Sequence, residues 1–514
     1  MQDRTRRGLV LVATSLAAFT ATLDNTVVAV ALRDVQADLG AGVAELQGVV
    51  TAYTVTLAAL LLTGGTLADV AGRRRVFLGG LAVFAAASAA CALADTSTAL
   101  IAARAVQGAG AALVLPGGLA VLAAAYPDPG PRARAVGLWA ATGAAALVAG
   151  PIVGGLLVAA SGWPAIFWVN LPLCAAIAAV VVLVPAEQAP SRARRLDLPG
   201  QALVAVGLGA GTYGVVLAGR DGLGAPVVLA AAIALTALTG FAAVERRATD
   251  PVLPLDLLRQ RRFVGATLGA FAASLAVFVL LVFLSLFLQL VEQREALPAA
   301  VRLLPLTLAL VLTAPFAGRW AAARGPGRPV VVGLLLTAVG LTLTAARLRQ
   351  AMPDVELVGL LLLCGLGIGL TTAPVVTASL DVVAQARSGL AAATVNVARE
   401  LGGVVAVAGL GAVVVARLSS DLVSRLLDVG VPDARTSVLV EALLRGASEG
   451  EVIDLAQGQV PLGALLTLRD AAEASYVGSV RLALVGAAVV LVASAVVCGR
   501  TLRLQPGVHE LHDA

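Results

Sequence analysis

Asp24 is the one ionisable residue in an otherwise uncharged apolar stretch, residues 8–32. On a helix rising 1.5 Å per residue it would sit about 24 Å from the start of that stretch. A carboxylate at such depth in lipid costs about 2.5–3.5 kcal/mol on insertion scales, and intramembrane carboxyls often mark ion pathways. Asp24 is therefore a candidate proton carrier, able to load a proton on one side of a membrane and release it on the other. The plainer alternative is a buried ion pair that only fixes helix packing. Arg104 is the candidate opposing cation. Its apolar run enters from the other side near Thr98, which puts it about 9 Å in and close to the depth of Asp24. Gln107, three residues on, shares its face. Matching depth predicts an Asp24–Arg104 contact, and protonating Asp24 would then free Arg104.

Asn396, Arg399, Glu400 and Gly403 form a second cluster, on one stripe by i, i+3, i+4 spacing. Arg399 would lie about 15 Å into its run, near mid-membrane. A cation there either contacts an anionic group of a substrate or pairs with a carboxyl. Its neighbour Glu400 points about 100° away, which makes that pairing poor. Asn25, Gln107, Asn396, Arg399 and Glu400 are the candidate polar groups of a substrate cavity.

Two further patterns concern movement. Residues 65–75 read Gly-Thr-Leu-Ala-Asp-Val-Ala-Gly-Arg-Arg-Arg, a tight charged hairpin. Gly65 and Gly72 allow sharp turns and close approach. Asp69 is placed to face the N-terminus of a neighbouring helix, where an anion is stabilised. The arginines, from Arg73 on, also suit simple anchoring at a membrane surface. In the run 133–160, Gly143, Gly150, Gly154 and Gly155 permit close helix contact and Pro151 breaks one backbone bond. This could be packing alone; a bend at a contact between halves would also suit rocking.

Enzyme chemistry is not expected. The four Cys are scattered through apolar runs, both His fall in the last six residues, and no metal-ligand cluster, serine triad or phosphate-binding loop is present. No cofactor is therefore expected, and a proton gradient is the energy source that remains. No basic run with interleaved aromatics suggests nucleic acid.

The elements that must hold these residues follow from composition. Of 514 residues 59% are hydrophobic and only 13% charged, against roughly 25% charged in ordinary globular domains. Lipid offers no hydrogen bonds to bare backbone, so long uncharged runs must be helices, and the short alternating segments of a β-barrel are absent. Runs of spanning length fall near 8–32, 46–68, 76–94, 98–124, 133–160, 165–184, 199–219, 226–244, 263–290, 300–322, 329–347, 355–380, 390–416 and 478–500. The first, with Arg4, Arg6 and Arg7 before it, is too long for a signal peptide and reads as a membrane helix. An even count of fourteen puts both termini on one side. With that side inside, the inner segments hold twenty-two Arg and the short outer loops six, so both termini are expected to be cytoplasmic. The outer segment 417–477 contains amphipathic pieces, Asp421–Val429 and Ser437–Leu444, that suit short surface helices.

Gly65, Asp69 and Gly72 recur in spacing as Gly318, Ala322 and Gly325. The repeat starts a second half at the ninth run and implies two six-helix halves plus two inserted helices. The expected divisions are 1–190, a six-helix half; 191–262, the inserted pair; 263–503, the second half with its outer loop; and 504–514, a cytoplasmic tail.

Taken together these residues resemble the major facilitator superfamily, in particular its fourteen-span drug:proton antiporter branch. Residues 23–28, with Asp24 and Asn25, resemble that branch's first-span signature, and 65–75 the superfamily's loop motif, whose Asp and Arg form a cytoplasmic gating latch. Residues 104–108 resemble the fourth-span motif tied to proton coupling. Residues 150–155 resemble the fifth-span antiporter motif, and 167–172 and 396–403 are also similar to the family pattern. Ala29 and Arg33 stand where the branch has Asn and Pro, which alters polarity and bend at the outer end of the first span. Ala322 replaces the repeat's Asp, so any latch is one-sided.

The resemblance implies a monomeric transporter of the cell membrane, surrounded by lipid, exchanging protons for small amphipathic or lipophilic compounds such as drugs, antiseptics or antibiotics by alternating access. Alternatives are an exporter of lipids, siderophores or a native metabolite, a nutrient symporter, or a non-transporting receptor or scaffold.

Overall fold

The computed structural model describes residues 2–41, 43–183, 197–221, 224–248, 250–294, 296–383, 388–428 and 462–502. Among them every regular element is a helix. The first half comprises α1 (Gln2–Leu39), α2 (Val43–Ala71), α3 (Arg73–Ala92), α4 (Ser97–Ala125), α5 (Pro129–Ser161), a short α6 (Ala165–Trp168) and α7 (Asn170–Leu183). The inserted pair is α8 (Leu198–Asp221) and α9 (Ala225–Glu245). After a short α10 (Leu255–Arg259), the second half runs through α11 (Arg261–Leu286), α12 (Ala296–Arg324), α13 (Gly327–Arg347), α14 (Asp354–Asp381), α15 (Ser388–Val404), α16 (Gly411–Asp428) and α17 (Leu462–Thr501). Thirteen helices are long and apolar enough to cross a membrane; Gly130–Leu147 and Ala149–Ser161, meeting at 47°, make a fourteenth span. The chain is thus a multi-pass membrane protein of the architecture expected.

Local chemistry explains the helix ends. Thr96 caps α4, its hydroxyl accepting from Ala99 N–H at 3.2 Å. Gly72 between α2 and α3 has φ 99°, and Gly325 between α12 and α13 has φ 81°. Both are left-handed, where a side chain would be strained. The repeat read from glycine spacing is therefore a repeat of backbone conformation.

Three contacts place several chain segments on one face. Tyr126 Oη donates to Arg7 O at 3.0 Å. A Cβ on Gly318 would lie 2.6 Å from Ala133 O, and one on Gly327 2.7 Å from Leu502 O. The start of α1 and the end of α17 thus share one face, the N-terminal face.

The inserted pair packs on itself, and α8 also leans on α2 and on a π-helical turn, Val405–Leu410, between α15 and α16. α9 exposes Val228, Leu229, Ile233 and Leu235, the surface a helix offers to hydrocarbon.

The far end of the second half differs from expectation. Among the described residues, Asp421–Asp428 is no separate surface helix: α15 continues through the π turn into α16, which contains it, and α17 begins sixteen residues before its apolar run. A helix does not stop where hydrophobicity stops, because its own backbone bonds continue it into water. Ser437–Leu444 and the tail 504–514 lie outside the described residues, as do the side chains of Ala29 and Arg33.

Candidate functional site

Pro172 creates the geometry around Asp24. It has no N–H to give Trp168 O, so α6 ends at Trp168 and α7 restarts at Asn170. The break turns Asn170 inward. Asp24 is fully enclosed, and each of its oxygens meets N–H donors. Arg104 Nη1 approaches Oδ2 at 2.5 Å. Gln107 Nε2 donates to Oδ1 at 2.8 Å and Asn170 Nδ2 to the same oxygen at 2.6 Å. Gln107 Oε1 accepts from Arg104 Nη1 at 2.7 Å. Ser88 Oγ accepts from Gln107 at 3.1 Å and Asn170 at 2.9 Å, and donates to Phe167 O at 3.0 Å.

Arg104, also 0% exposed, is held from its other sides. Its Nε donates to Val49 O at 3.2 Å, and its Cζ lies 4.3 Å from the Tyr53 ring centroid and 5.9 Å from that of Phe167. Tyr53 Oη in turn donates to Ala21 O at 3.0 Å. Hydrogen bonds from Nε and Nη1 and two ring faces replace much of the lost water around this buried charge, while Nη2 has no hydrogen-bond partner. The contact expected from depth is present. Ser88, Tyr53 and Asn170 are additions; of these only Asn170, polar and two residues before a proline, left a signal in the sequence.

The second cluster has another character. Asn396, Arg399 and Glu400 of α15 line a small pocket, with Thr22 of α1 and Trp139 and Gly143 of α5 opposite. Arg399 Cζ stands 5.9 Å from the Trp139 ring centroid. Asn396 Nδ2 is bonded to Ala392 O at 3.0 Å, which leaves its Oδ1 for other partners. Trp139 and Arg399 are ten and eleven residues from the starts of their helices, about 15 Å from the N-terminal face and near mid-membrane. The cavity lies between the halves, one wall charged and the other aromatic and small.

Two expected cavity residues fall elsewhere. Gln107 belongs to the Asp24 network and is 0% exposed. Asn25 is half-buried and does not line the cavity. The reason is helical phase: residues two apart point about 200° apart, so α1 shows Thr22 to the cavity and Asp24 to α4 and α7.

At the N-terminal face the halves are in contact. Gly389 N–H and Leu390 N–H, at the start of α15, each donate to Asp69 at 3.0 Å, and Arg73 lies 3.8 Å from the same carboxylate. Asp69 thus caps a helix of the other half, the placement its sequence suggested. A Cβ on Gly65 would come 2.5 Å from Gly389 O, so only glycine permits this approach. Where the repeat has Ala322, no carboxylate caps α5; Arg132 of α5 instead pairs with Asp381 of α14.

In α5 the bend centres on residue 148, beside Leu147, whose carbonyl Pro151 cannot bond. Gly150 packs on Thr26, and a Cβ on Gly154 would meet Val27 Cγ2 at 2.6 Å. Gly143 faces the cavity, and Gly155 has open space. The bend therefore packs against α1 of its own half. Contact with the other half lies lower on α5, where a Cβ on Gly137 would be 2.8 Å from Ala314 O.

A family model, Major Facilitator Superfamily, matches residues 14–407. The chain belongs to that superfamily. It is 35% identical over 444 residues to the multidrug resistance protein Stp of Mycobacterium tuberculosis, covering 86% of this chain and 82% of Stp. To the tetracenomycin C resistance and export protein of Streptomyces glaucescens it is 33% identical, covering 95% and 90%. Among solved structures the proton:xylose symporter XylE, 13% identical, superposes with a TM-score of 0.57 over 79% of this chain and 88% of XylE, a likeness of fold. The protein is a transporter of small molecules rather than an enzyme.

Proposed function

We propose that the protein exports drug-like amphipathic compounds from the cytoplasm in exchange for protons. The names of its relatives support export of antibiotics or other drugs. The distribution of Arg supports placing the N-terminal face in the cytoplasm of a cell whose plasma membrane holds the protein. The observation that carries the coupling is the sealed Asp24–Arg104 pair on one face of α1, while the opposite face lines the cavity.

Substrate binds between α1, α5 and α15, its apolar part on Trp139 and Gly143 and its polar edge toward Asn396, Arg399 and Glu400. A proton from outside neutralises Asp24. Arg104 then loses a charged partner in a low-dielectric site, where that attraction is strong. The first-half helices around the pair readjust, and α1 carries the change to the cavity. Asp69 of α2, capping α15, is the latch that closes the cytoplasmic side. The proton gradient is the energy source, and one chain contains the whole path.

The test is efflux of ethidium from whole cells, with a protonophore and Asp24→Asn side by side at matched membrane abundance. Loss of efflux in both supports the reading. Efflux by Asp24→Asn equal to that of the unaltered protein removes Asp24 from the coupling.

A further inference from the structure

The groups around Asp24 are not equivalent, and the difference lies in what their far ends touch. Gln107 is held at both ends. Its Nε2 serves Asp24 and Ser88, while its Oε1 accepts from Arg104 at 2.7 Å. Turning that amide over would set its NH₂ against the guanidinium, donor against donor. Asn170 is held at one end only. Its Nδ2 serves Asp24 and Ser88, and its Oδ1 is buried with no hydrogen-bond partner. Asn170 is 1% exposed, a position where an orphaned acceptor is costly.

Every contact to Asp24 comes from a donor, which suits the carboxylate. A proton arriving on Oδ1 would face the NH₂ of Asn170 with nowhere to donate. The amide's two ends have the same shape, so a half-turn about its last bond needs no extra space. After it, Asn170 Oδ1 accepts from the new carboxylic O–H. Asp24 Oδ2 still accepts from Arg104, and Gln107 still donates to Oδ1. The half-turn gives up the bond from Asn170 to Ser88 and gains the one from the acid O–H, so the protonation state of Asp24 tips the balance between the two orientations.

We infer that Asn170 is a two-way amide, donating to Asp24 when it is ionised and accepting from it when it is protonated, and so is the positioning residue for the coupling proton. This rests on the proposed role of Asp24. The other ionisable neighbours are Arg104 from α4, Tyr53 from α2, Cys91 from α3 and Cys174 from α7, with Glu400 of α15 beyond Tyr53. Among these and the amides, Asn170 is the group with an unused acceptor beside the carboxylate.

The experiment is infrared difference spectroscopy of the purified full chain between high and low pH, with asparagine isotope-labelled. The expected spectrum has a carboxylic acid band that Asp24→Asn removes, accompanied by a shift of a side-chain amide carbonyl from free to hydrogen-bonded. In Asn170→Leu the amide feature is lost and the acid band moves to the position of an unbonded carboxyl. Asn170→Ser, whose hydroxyl both donates and accepts, keeps the acid band near its original place. Asn170→Asp, adding a like charge, raises the titration midpoint by at least about one pH unit, a tenfold gain in proton affinity. An Asp24 band titrating without any amide change overturns the role of Asn170 and leaves the coupling reading standing; because it is read on the unaltered protein, it does not depend on a variant folding. A spectrum that Asp24→Asn leaves unchanged overturns both.

Discussion

The two charged clusters of the membrane interior are built on opposite plans. Around Asp24 the guanidinium, two amides and Ser88 are packed shut, with 0% exposure at Asp24, Arg104 and Gln107. Around Arg399 and Glu400 the side chains open on a cavity, and the guanidinium leans on the Trp139 ring. A sealed site can exchange only something as small as a proton. An open one between the two halves, with an aromatic wall, is where the proposed function places the substrate. Under the proposed function the proton belongs to the first half, the substrate to both halves together, and transmission to α1, which has a face on each.

The sharpest way to break this division is to make the two clusters fail differently. Asp24→Asn is expected to abolish gradient-driven efflux while leaving equilibrium binding of ethidium, by fluorescence, within about threefold. It also leaves Arg104 buried beside a neutral partner, and a loss of about 3–5 kcal/mol is expected in thermal unfolding. Weakened binding on the same scale as the loss of transport would merge the two sites. Arg399→Gln should do the reverse for a carboxylate-bearing drug. Losing a charge-assisted bond of about 1.5–3 kcal/mol weakens its binding roughly tenfold or more while the titration of Asp24 stays in place.

The N-terminal face gives smaller effects. Asp69→Ala removes two charge-assisted caps to Gly389 and Leu390, and spin labels across that face should report a wider opening, with the closed population reduced about tenfold. An unchanged distance distribution would leave Asp69 a local cap only. Arg132→Ala removes a part-exposed pair with Asp381, worth about 0.2–1 kcal/mol, and the exchange of the two charges should restore the original distribution. The smallest effect is expected from Ala322→Asp, although it restores the repeat. The helix it would cap begins Pro129-Gly130-Pro131, with N–H groups missing at two of the first three positions. A strengthened closure in that variant would contradict this account.

Much of the architecture was legible in the chain. Uncharged runs of spanning length force helices, Gly72 and Gly325 announce a repeated turn, and Asp24 and Arg104 stand out because charge in lipid is expensive. The depth argument brought those two together because 1.5 Å per residue is nearly independent of context. Ser88 and Tyr53 gave no signal, since hydroxyls are common in apolar helices. Asn25 and Gln107 were assigned to the cavity on polarity, a criterion without direction.

By itself the sequence determined what had to be inside the membrane, how often the chain crosses it, and which residues were too costly there to be accidental. These follow from transfer free energies and helix rise, which act residue by residue. Tertiary structure alone decided which face of α1 meets which neighbour, that Pro172 turns Asn170 onto Asp24, and that α5 bends against its own half. Those outcomes depend on helical phase and packing between segments far apart in the chain, where a rotation of 100° per residue separates a sealed ion pair from an open cavity.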